Sequence, residues 1–586
     1  MGACHVDHKN SAMADGSSMA AKYPAGLRWD IDIPNRDLAS LLDDAIVKYA
    51  ARPALDFLGK TITYRALGRM VDRAASGLQQ QGVGEGSKIG LYMPNTPYYP
   101  IMFLAALRLG ATVVNFSPLY TVDELRAQIR DSGTSVMVAL DLKEMQDKAR
   151  ILLRDGEIKT VINCGMADML PPFKSILFRL FKRGDVSPPA RDANIVSFQK
   201  LIANDGQYRR AAVDPQSTAV LQYTGGTTGV PKGAMLSHFN LVANCHQIDA
   251  FFGAQKTQEQ SRFIAAIPYF HVFGMMVGMI SSLKSGSHHI LIPNPRDLKQ
   301  VMQAIDKKRP THFPAVPRLL QALSEDPKAG RYDFSSLKMI ISGGAPLPPA
   351  LLDAFEKATK LNGIVMQGYG LTETSPTVTS NPVNGINKPD SVGLVCPRTE
   401  VKIVHPDNPG QVMGRGETGE ILIRAPQLMK GYYNKPEETA RVMTGDGWFM
   451  TGDLGYLDDD MYLHIVDRKK RMIIVNGYKV YPNQVEKAIS EHPAVAECIV
   501  IGVPDSSAGE AGKAFIRFKP GQTPLTIAEM RQFLEGRVNR IEMPKTMEFV
   551  TAELPKTAVG KPDWKKLQDA ERLKAAAPKP NHPDPQ

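Results

Sequence analysis

Apolar and polar positions follow two different spacings along most of this chain. Residues 67–81 repeat apolar side chains at the spacing of a helix face, whereas residues 88–93, 135–140 and 160–163 form short, nearly continuous apolar runs. Runs of that length between helical segments are typical of buried strands. Because such strands pack as parallel sheets covered by helices, the pattern predicts an α/β fold.

The pattern changes after a run of charged residues at 467–471. Beyond it, residues 472–475, 496–503 and 514–518 are predicted as strands, and Thr526 begins a helix that reaches about Val538. We therefore predict a large N-terminal α/β domain of layered sheets and helices, residues 25–466, and a small mobile C-terminal α+β domain, residues 467–573. The polar and Ala- or Pro-rich ends, residues 1–24 and 574–586, are predicted to be disordered tails.

The composition is that of an ordinary globular protein with more than one core. The 586 residues are 43% hydrophobic and 22% charged, and no apolar run reaches the length of a membrane span. The five scattered cysteines favour reduced thiols and a cytoplasmic location over a disulfide framework or a zinc site. The net charge of +10 suits anionic ligands such as a nucleotide or CoA, and its even spread makes nucleic acid the weaker interpretation.

The most distinctive stretch of the sequence is residues 221–233. An apolar segment ends at Thr224, and a loop of glycines and threonines continues to Lys232. Glycines let successive backbone N–H groups surround an anion, and hydroxyl and ammonium groups add donors, so the stretch predicts a phosphate-binding loop. It is not a P-loop, because no Ser or Thr follows Lys232. Residues 235–238 are predicted to begin a helix, and a plain surface turn is the alternative interpretation of the loop.

Other short segments carry candidate chemistry. Tyr369 lies between glycines and can present its ring to a base, and Glu373 can give an oxygen ligand to Mg²⁺. Asp453 ends a turn at which a carboxylate can accept both hydroxyls of a ribose. His271 lies between aromatic residues and a glycine, which indicates the rim of a cavity. The alternatives are a simple turn, a solvated carboxylate and a core histidine.

Residues 170–183 interrupt the α/β pattern with basic, aromatic and aliphatic residues close together. Such a segment is typical of an interfacial helix that contacts an anionic membrane. The alternative is an inserted helix that packs on its own domain.

Five ordered motifs together resemble those of the ATP-dependent acyl-CoA synthetases of the adenylate-forming superfamily, most closely the bacterial long-chain fatty-acid–CoA ligases. They are the 221–233 loop, residues 369–373, residues 451–453, the 467–470 junction and the terminal Lys561. The resemblance covers roughly residues 38–567. It implies an acid–thiol ligase that converts a carboxylic acid and ATP to an acyl-adenylate and pyrophosphate, and then transfers the acyl group to CoA.

The resemblance also assigns roles to individual residues. It implies that Lys561, Glu373, His271 and Thr228 are catalytic, with Glu373 on Mg²⁺. It implies that Asp467 is the hinge of the small domain and that Gly477, Tyr478 and Lys479 bind CoA. The implied nucleotide-binding residues come from the five motifs and from the glycines after residue 342: Thr224, Gly225, Gly226, Thr227, Thr228, Lys232, Gly343, Gly344, Ala345, Gln367, Gly368, Tyr369, Gly370, Thr372, Asp453, Arg468 and Lys561.

The segments that form the acyl pocket in this family are mostly apolar or small here: residues 237–245, 270–277, 313–316 and 342–344. They imply a medium- to long-chain fatty acid as substrate, with dicarboxylic or aromatic acids as alternatives. A catalytically inactive acyl- or nucleotide-binding protein is the alternative from another class. The expected cofactors and partners are ATP, Mg²⁺ and CoA, a second copy of the chain, and peripheral contact with the inner face of the cytoplasmic membrane through residues 170–183.

Overall fold

The computed structural model describes residues 12–188, 192–224, 231–252, 259–505, 507–556 and 562–576. Within these residues the chain forms 27 strands, numbered here in chain order: β1 (Met13–Ala14), β2 (Pro53–Phe57), β3 (Lys60–Thr63), β4 (Lys88–Tyr92), β5 (Thr112–Phe116), β6 (Val136–Leu140), β7 (Thr160–Cys164), β8 (Ile195–Ser197), β9 (Thr218–Thr224), β10 (Lys232–Ser237), β11 (Arg262–Ala265), β12 (His288–Leu291), β13 (His312–Ala315), β14 (Met339–Ser342), β15 (Val365–Gly370), β16 (Thr377–Ser380), β17 (Leu394–Val395), β18 (Glu400–His405), β19 (Asn408–Val412), β20 (Gly419–Arg424), β21 (Phe449–Leu457), β22 (Leu463–Arg468), β23 (Ile473–Val475), β24 (Tyr478–Val480), β25 (Val495–Asp505), β26 (Gly509–Phe518) and β27 (Thr546–Phe549).

The same residues contain 17 α-helices: α1 (Gly16–Ala20), α2 (Leu38–Lys48), α3 (Tyr64–Gln80), α4 (Tyr98–Arg108), α5 (Val122–Ser132), α6 (Lys143–Arg154), α7 (Pro172–Phe181), α8 (Phe198–Leu201), α9 (His238–Phe252), α10 (Ser281–Lys284), α11 (Leu298–Lys308), α12 (Pro317–Glu325), α13 (Pro349–Thr359), α14 (Pro436–Ala440), α15 (Pro482–Ser490), α16 (Ile527–Leu534) and α17 (Trp564–Ala576).

Two large sheets form the centre of the N-terminal domain. One has the strand order β10-β9-β5-β4-β6-β7-β8, and the other has the order β17-β16-β15-β14-β13-β11-β12-β2-β3. The inner strands are parallel, whereas β10, β3, β16 and β17 are antiparallel additions at the edges. A large apolar core that includes Tyr92, Tyr99 and Phe116 packs against them. The predicted α/β fold of layered sheets and helices is confirmed.

A third sheet completes the large domain and is entirely antiparallel. Its main path is β1-β18-β20-β21-β22, with β19 paired to β18. The small domain has a separate sheet of order β24-β23-β26-β25, to which β27 adds in parallel. That sheet has its own core of residues such as Ile473, Val485 and Ile516. A small C-terminal α+β unit with an independent core agrees with the predicted fold class.

The N-terminal segment corrects one sequence-based prediction. Residues 12–24 were expected within a disordered tail, but Met13 and Ala14 pair with Lys402 and Val401. Asp15 then caps α1, and the side chain of Met19 is fully buried. The segment is therefore ordered because a distant strand supplies its hydrogen-bond partners, which local composition does not show. At the other end, α17 reaches Ala576, so the predicted tail 574–586 is wrong for its first three residues, and residues 577–586 lie outside the described part.

Two element boundaries also differ from the prediction. Residues 235–237 belong to β10, and the helix begins only at His238, because β10 pairs with β9 along its length. Helix α16 ends at Leu534 instead of about Val538, two residues before Gly536, whose positive φ of 76° breaks the helical path. A Thr three residues before a Glu predicts a capping box, and Thr121 and Glu124 form one at the start of α5.

None of the helices in the described ranges is both long and apolar enough to cross a membrane. The four cysteines in these ranges, Cys164, Cys245, Cys396 and Cys498, are free thiols.

The ordered N-terminal segment leads to a stability prediction. Replacing Met19 with Ala removes a fully buried side chain, so Met19→Ala should destabilise the large domain by about 2–5 kcal/mol and lower its Tm. Thermal unfolding followed by circular dichroism measures the effect. Ala20→Ser, at an exposed position of the same helix, is the matched control and should leave the Tm unchanged. Equal Tm values for Met19→Ala and the wild-type protein would contradict the packed arrangement.

Candidate active site

The candidate site lies at the carboxyl ends of parallel strands. In the second large sheet, β13, β14 and β15 run in parallel, and their ends lead to Val316, Gly343 and Leu371. The N–H of Gly343 donates to the carbonyl oxygen of Ala315 at 3.3 Å, which fixes the loop after β14 against the end of β13. Ligands of open α/β sheets bind outside the carboxyl ends of the strands, so this edge is the expected position of a site.

Tyr369, Asp453 and Arg468 form one connected group. The phenol of Tyr369 donates to Asp453 Oδ2 at 2.5 Å, and Arg468 Nε lies 2.6 Å from Asp453 Oδ1. Asp453 and Arg468 are cross-strand partners in β21 and β22, so the antiparallel ladder itself brings the two charges together. Burial and the neighbouring Asp453 carboxylate raise the pKa of Tyr369, which keeps its hydroxyl neutral and able to donate.

Glu373 lies just after β15 in a 3₁₀ turn, Thr372–Thr374. Its Oε1 accepts a hydrogen bond of 2.8 Å from the hydroxyl of Tyr432, and its carbonyl oxygen accepts one of 2.8 Å from the N–H of Met429. Gly370 is required before this turn, because a Cβ there would lie 1.9 Å from the carbonyl oxygen of Pro376. The turn therefore holds one oriented carboxylate at the end of β15.

Lys232 and Thr224 face each other across the two strands that flank the predicted phosphate loop. The ammonium of Lys232 contacts the carboxylate of Glu438 and lies 5.2 Å from the centre of the Tyr432 ring. Only 14% of the Lys232 side chain is exposed. The lysine is therefore fixed beside Tyr432, whose hydroxyl also donates a hydrogen bond to Glu373.

The predicted adenine-binding backbone lies near the strand ends. A Cβ on Gly343 would lie 3.4 Å from the carbonyl oxygen of Gly368 and 3.5 Å from the Phe273 ring, so the two backbone segments approach closely. The Gln367 side chain forms two hydrogen bonds within the protein. Its Oε1 accepts from the N–H of Leu347, and its Nε2 donates to the carbonyl oxygen of Pro389. Gln367 thus supports the loop after β14 through its amide.

His271 lies in the loop that leads into a π-helix, Gly274–Ile280. Its Nδ1 accepts a hydrogen bond of 3.3 Å from the N–H of Phe273. The carbonyl oxygen of Phe270 accepts one of 3.0 Å from the Gln222 side chain on β9, which ties this loop to the strand before the phosphate loop. Gly274 is required here, since a Cβ would lie 2.1 Å from the carbonyl oxygen of Pro268.

Asp467 links the two domains. Its Oδ1 accepts from the N–H of Arg468 and its Oδ2 from the N–H of Asn483, both at 2.7 Å. Asn483 is at the N-terminus of α15 in the small domain, where a negative charge is favourable. Burial raises the pKa of Asp467 above its ordinary value. The predicted hinge residue thus lies in β22, the last strand of the large domain, and contacts the first turn of a small-domain helix.

The predicted CoA-binding residues form the hairpin between β23 and β24. Asn476 and Gly477 both have positive φ, the conformation of a tight hairpin turn. Tyr478 is 62% exposed, and Lys479 Nζ lies 3.5 Å from Asp407 Oδ2 in the turn between β18 and β19. In this arrangement the hairpin lies against the third sheet of the large domain.

Several predicted site residues lie outside the described residues: Gly225, Gly226, Thr227, Thr228 and Lys561. Their roles stay predictions of the sequence.

Sequence reasoning missed Tyr432 and Glu438. Both lie in residues 429–441, which contain none of the five motifs, and their partners are 59 and 206 residues away in the chain. The Gly-Tyr-Tyr and Pro-Glu-Glu runs were the only local signals, and neither specifies a partner.

Comparisons with known proteins identify the family of this chain. The AMP-binding enzyme family matches residues 42–433, and the C-terminal domain of AMP-binding enzymes matches residues 484–561. A long-chain-fatty-acid–CoA ligase of Bacillus subtilis strain 168 is 38% identical over 545 residues, which are 92% of this chain and 96% of that protein. The corresponding ligase of Escherichia coli O157:H7 is 35% identical over 568 residues, covering 94% and 98%.

A solved structure shows the same fold. The anthranilate CoA ligase AuaEII in complex with anthranoyl-AMP has a TM-score of 0.81 and 26% identity, covering 94% of this chain and 99% of that one. The chain belongs to the family of AMP-binding enzymes, and within that family it is an acid–thiol ligase.

The Tyr369–Asp453–Arg468 group gives a prediction for nucleotide binding. Asp453→Asn keeps the shape of the side chain but removes its charge. Because hydrogen bonds to charged groups contribute about 1.5–3 kcal/mol, we expect ATP to bind about 10- to 100-fold more weakly. Titration calorimetry with ATP measures the Kd. Tyr369→Phe keeps the ring and the carboxylate and should weaken binding less. An unchanged Kd for Asp453→Asn would contradict a role of this carboxylate in binding the nucleotide.

Proposed function

We propose that the protein converts a medium- to long-chain fatty acid to its CoA thioester through an acyl-adenylate. The observation that carries this proposal is the similarity to long-chain-fatty-acid–CoA ligases over 92–94% of the chain. The connected group of Tyr369, Asp453 and Arg468 and the oriented carboxylate of Glu373 support it. The alternatives of a dicarboxylic or aromatic acid and of an inactive binding protein are not favoured.

The reaction has two steps. A carboxylate oxygen of the acid attacks the α-phosphorus of ATP, the bond to the β-phosphate oxygen breaks, and pyrophosphate leaves. The CoA thiolate then attacks the acyl carbonyl carbon, and AMP leaves with the former carboxylate oxygen. Both steps develop negative charge on oxygens, so the protein must supply fixed donors and cations.

The described residues supply such groups. We assign the ribose hydroxyls to Asp453, beside Arg468, and the β- and γ-phosphates to Lys232. Glu373 suits Mg²⁺, because this ion is commonly held by one or two carboxylates together with substrate phosphates. No group of three His, Cys, Asp or Glu side chains able to hold a metal occurs in the described ranges. When bound, Mg²⁺ would neutralise charge on the phosphates.

The hinge at Asp467 and the domain boundary there are also part of the proposal. Rotation of the small domain about Asp467 would exchange Lys561, which acts in adenylation, for the hairpin of residues 477–479, which binds CoA. His271 would lie where the thiol enters. Loss of Lys561 should slow adenylate formation by roughly a hundredfold, the scale of losing one donor to a developing oxyanion.

The acyl chain is assigned to the region between α9 and the π-helix. Met275, Met276 and Val277 are buried in the π-helix, and Val242 and Cys245 are buried on α9. Such apolar and flexible side chains suit an aliphatic chain better than a second carboxylate.

The substrate proposal is tested by the yield of acyl-CoA with acids from acetate to stearate, α,ω-diacids and benzoates. We expect the highest kcat/KM with acids longer than about octanoate, since each buried CH₂ contributes about 0.8 kcal/mol. Thioester formation is measured with ATP, Mg²⁺ and CoA, and reactions without CoA are the control. A higher kcat/KM for diacids or benzoates would overturn the substrate class.

Peripheral membrane contact is a further part of the proposal, and α7 is its basis. None of its residues is buried. Phe173, Ile176 and Leu180 lie on one face and are 71%, 58% and 68% exposed, and Phe181 beside them is 79% exposed. The helix contains no acidic residue.

The cations of this segment lie beside the apolar face. Lys174 donates to the carbonyl oxygen of Leu58, Arg179 pairs with Asp168, and Lys182 pairs with Asp185. An exposed apolar face flanked by cations suits an anionic lipid surface, which is also where a long-chain acid partitions. We therefore propose that α7 contacts the inner face of the cytoplasmic membrane. The cytoplasmic location and the homodimer remain what the sequence and its family resemblance imply.

Vesicle flotation tests the membrane contact. The triple variant Phe173→Ser, Leu180→Ser and Phe181→Ser should bind vesicles containing phosphatidylglycerol at least about tenfold more weakly than the wild type, because it loses three apolar contacts with the bilayer. Val47→Ser, at a position 78% exposed on α2, is the matched control and should bind normally. Equal flotation of the triple variant and the wild type would contradict the proposal. So would a triple variant that only changes from a dimer to a monomer while its flotation stays unchanged.

A further inference from the structure

Residues 429–441, called here the edge segment, form an added edge beside β10. The N–H of Lys430 donates to the carbonyl oxygen of Met235 at 2.9 Å. In return, the N–H of Met235 donates to the carbonyl oxygen of Gly431 at 2.9 Å. The N–H of Tyr433 donates to the carbonyl oxygen of Gly233 at 2.8 Å. The edge segment is therefore held by main-chain hydrogen bonds against the strand that begins with Lys232.

The edge segment presents a carboxylate to Lys232. Glu438 lies on α14, and its Oε2 contacts Lys232 Nζ while its Oε1 contacts the guanidinium of Arg441. The exposed fractions of the side chains are 14% for Lys232, 25% for Glu438 and 69% for Arg441. The hydrogen bond with Lys232 holds the pKa of Glu438 below its ordinary value, which keeps its carboxylate charged at neutral pH.

The same segment holds the proposed magnesium ligand. Tyr432 donates from its hydroxyl to Glu373, and the Tyr432 ring lies under Lys232. The N–H of Tyr432 donates to Thr439 Oγ1 at 2.8 Å, which joins the Tyr432 turn to α14. One short segment thus contacts both groups that the proposed function assigns to ATP and its metal ion.

We propose that Glu438 is a positioning residue that occupies the ammonium of Lys232 until the nucleotide phosphates displace it. This inference rests on the proposed function, which assigns Lys232 to the β- and γ-phosphates. A carboxylate and a polyphosphate cannot both stay close to one ammonium without strong repulsion between the two anions. Glu438 keeps Arg441 as a partner when it releases Lys232, so its charge is not left unpaired.

The displacement sets the affinity for ATP and for pyrophosphate. Breaking the pair opposes phosphate binding, and re-forming it favours release of pyrophosphate after adenylation. Partly exposed ion pairs contribute about 0.2–1 kcal/mol, so the effect on affinity is about 1.5- to 5-fold. The expected signature is therefore a change in ATP and pyrophosphate affinity with no change in the affinity for the acid.

The test measures the Kd of ATP with Mg²⁺ by titration calorimetry, without acid or CoA. Glu438→Gln should tighten ATP binding about 1.5- to 5-fold. Arg441→Gln, which leaves Lys232 as the main partner of Glu438, should weaken it. In steady-state assays, the KM for ATP of Glu438→Gln should fall while the KM for the acid stays constant. Glu437→Gln removes the same charge from an exposed neighbouring position and is the matched control, with no expected change.

A double-variant comparison isolates the pair. In a Lys232→Met background, adding Glu438→Gln should leave the Kd of ATP unchanged, because the ammonium that Glu438 occupies is absent. Weaker or equal ATP binding by Glu438→Gln alone, or the same gain in the Lys232→Met background, would overturn the inference and leave the proposed function intact. Failure of the wild-type protein to bind ATP would overturn the proposed function, and this inference with it.

Discussion

The antiparallel pairing of β21 with β22 is the constraint on which the site and the hinge both depend. It places Asp453 opposite Arg468 and Leu454 opposite Asp467. The first pair, with Tyr369, forms the charged group proposed to bind the ribose. One residue away, Asp467 accepts a hydrogen bond from Asn483 of the small domain. A change of small-domain orientation at the proposed hinge Asp467 would therefore act on β22, where the next residue, Arg468, belongs to the proposed nucleotide site.

Charge balance in the site follows one pattern. Two cations within the described residues are proposed to meet the nucleotide, and both already have an anionic partner in the protein: Arg468 has Asp453, and Lys232 has Glu438. These partners differ in what a nucleotide would do to them. Asp453 is buried and held by two side chains on separate elements, so it stays in place, whereas Glu438 lies on a short exposed helix and has Arg441 as a second partner. The first pair is a fixed part of the site and the second is suited to exchange.

The sequence predicted those features that depend on local pattern or on a recognisable motif. The strand and helix alternation, the capping box at Thr121 and the turn that carries Glu373 are local, because neighbouring residues supply their hydrogen bonds. The resemblance of five motifs predicted the family. It also predicted that Asp453 and Arg468 belong to one site, since those motifs are shared with known enzymes.

Features that depend on distant pairing were not predictable in the same way. The strand at Met13–Ala14 exists because β18 offers an open edge, and nothing in residues 1–24 specifies that partner. Tyr432 and Glu438 are ordinary residues until the fold brings them to Glu373 and Lys232. The end of β10 and the start of α9 likewise depend on pairing with β9, which overrides the helical spacing of residues 235–238.

The central claim is that this site activates a carboxylic acid as its adenylate, and isotope exchange between radiolabelled pyrophosphate and ATP tests it most directly. The reaction contains Mg²⁺ and a fatty acid but no CoA, so only the first step can run in both directions. The account predicts exchange that requires the acid and is lost in Asp453→Asn. Absence of exchange with every acid tested, in a folded protein that binds ATP, would contradict it.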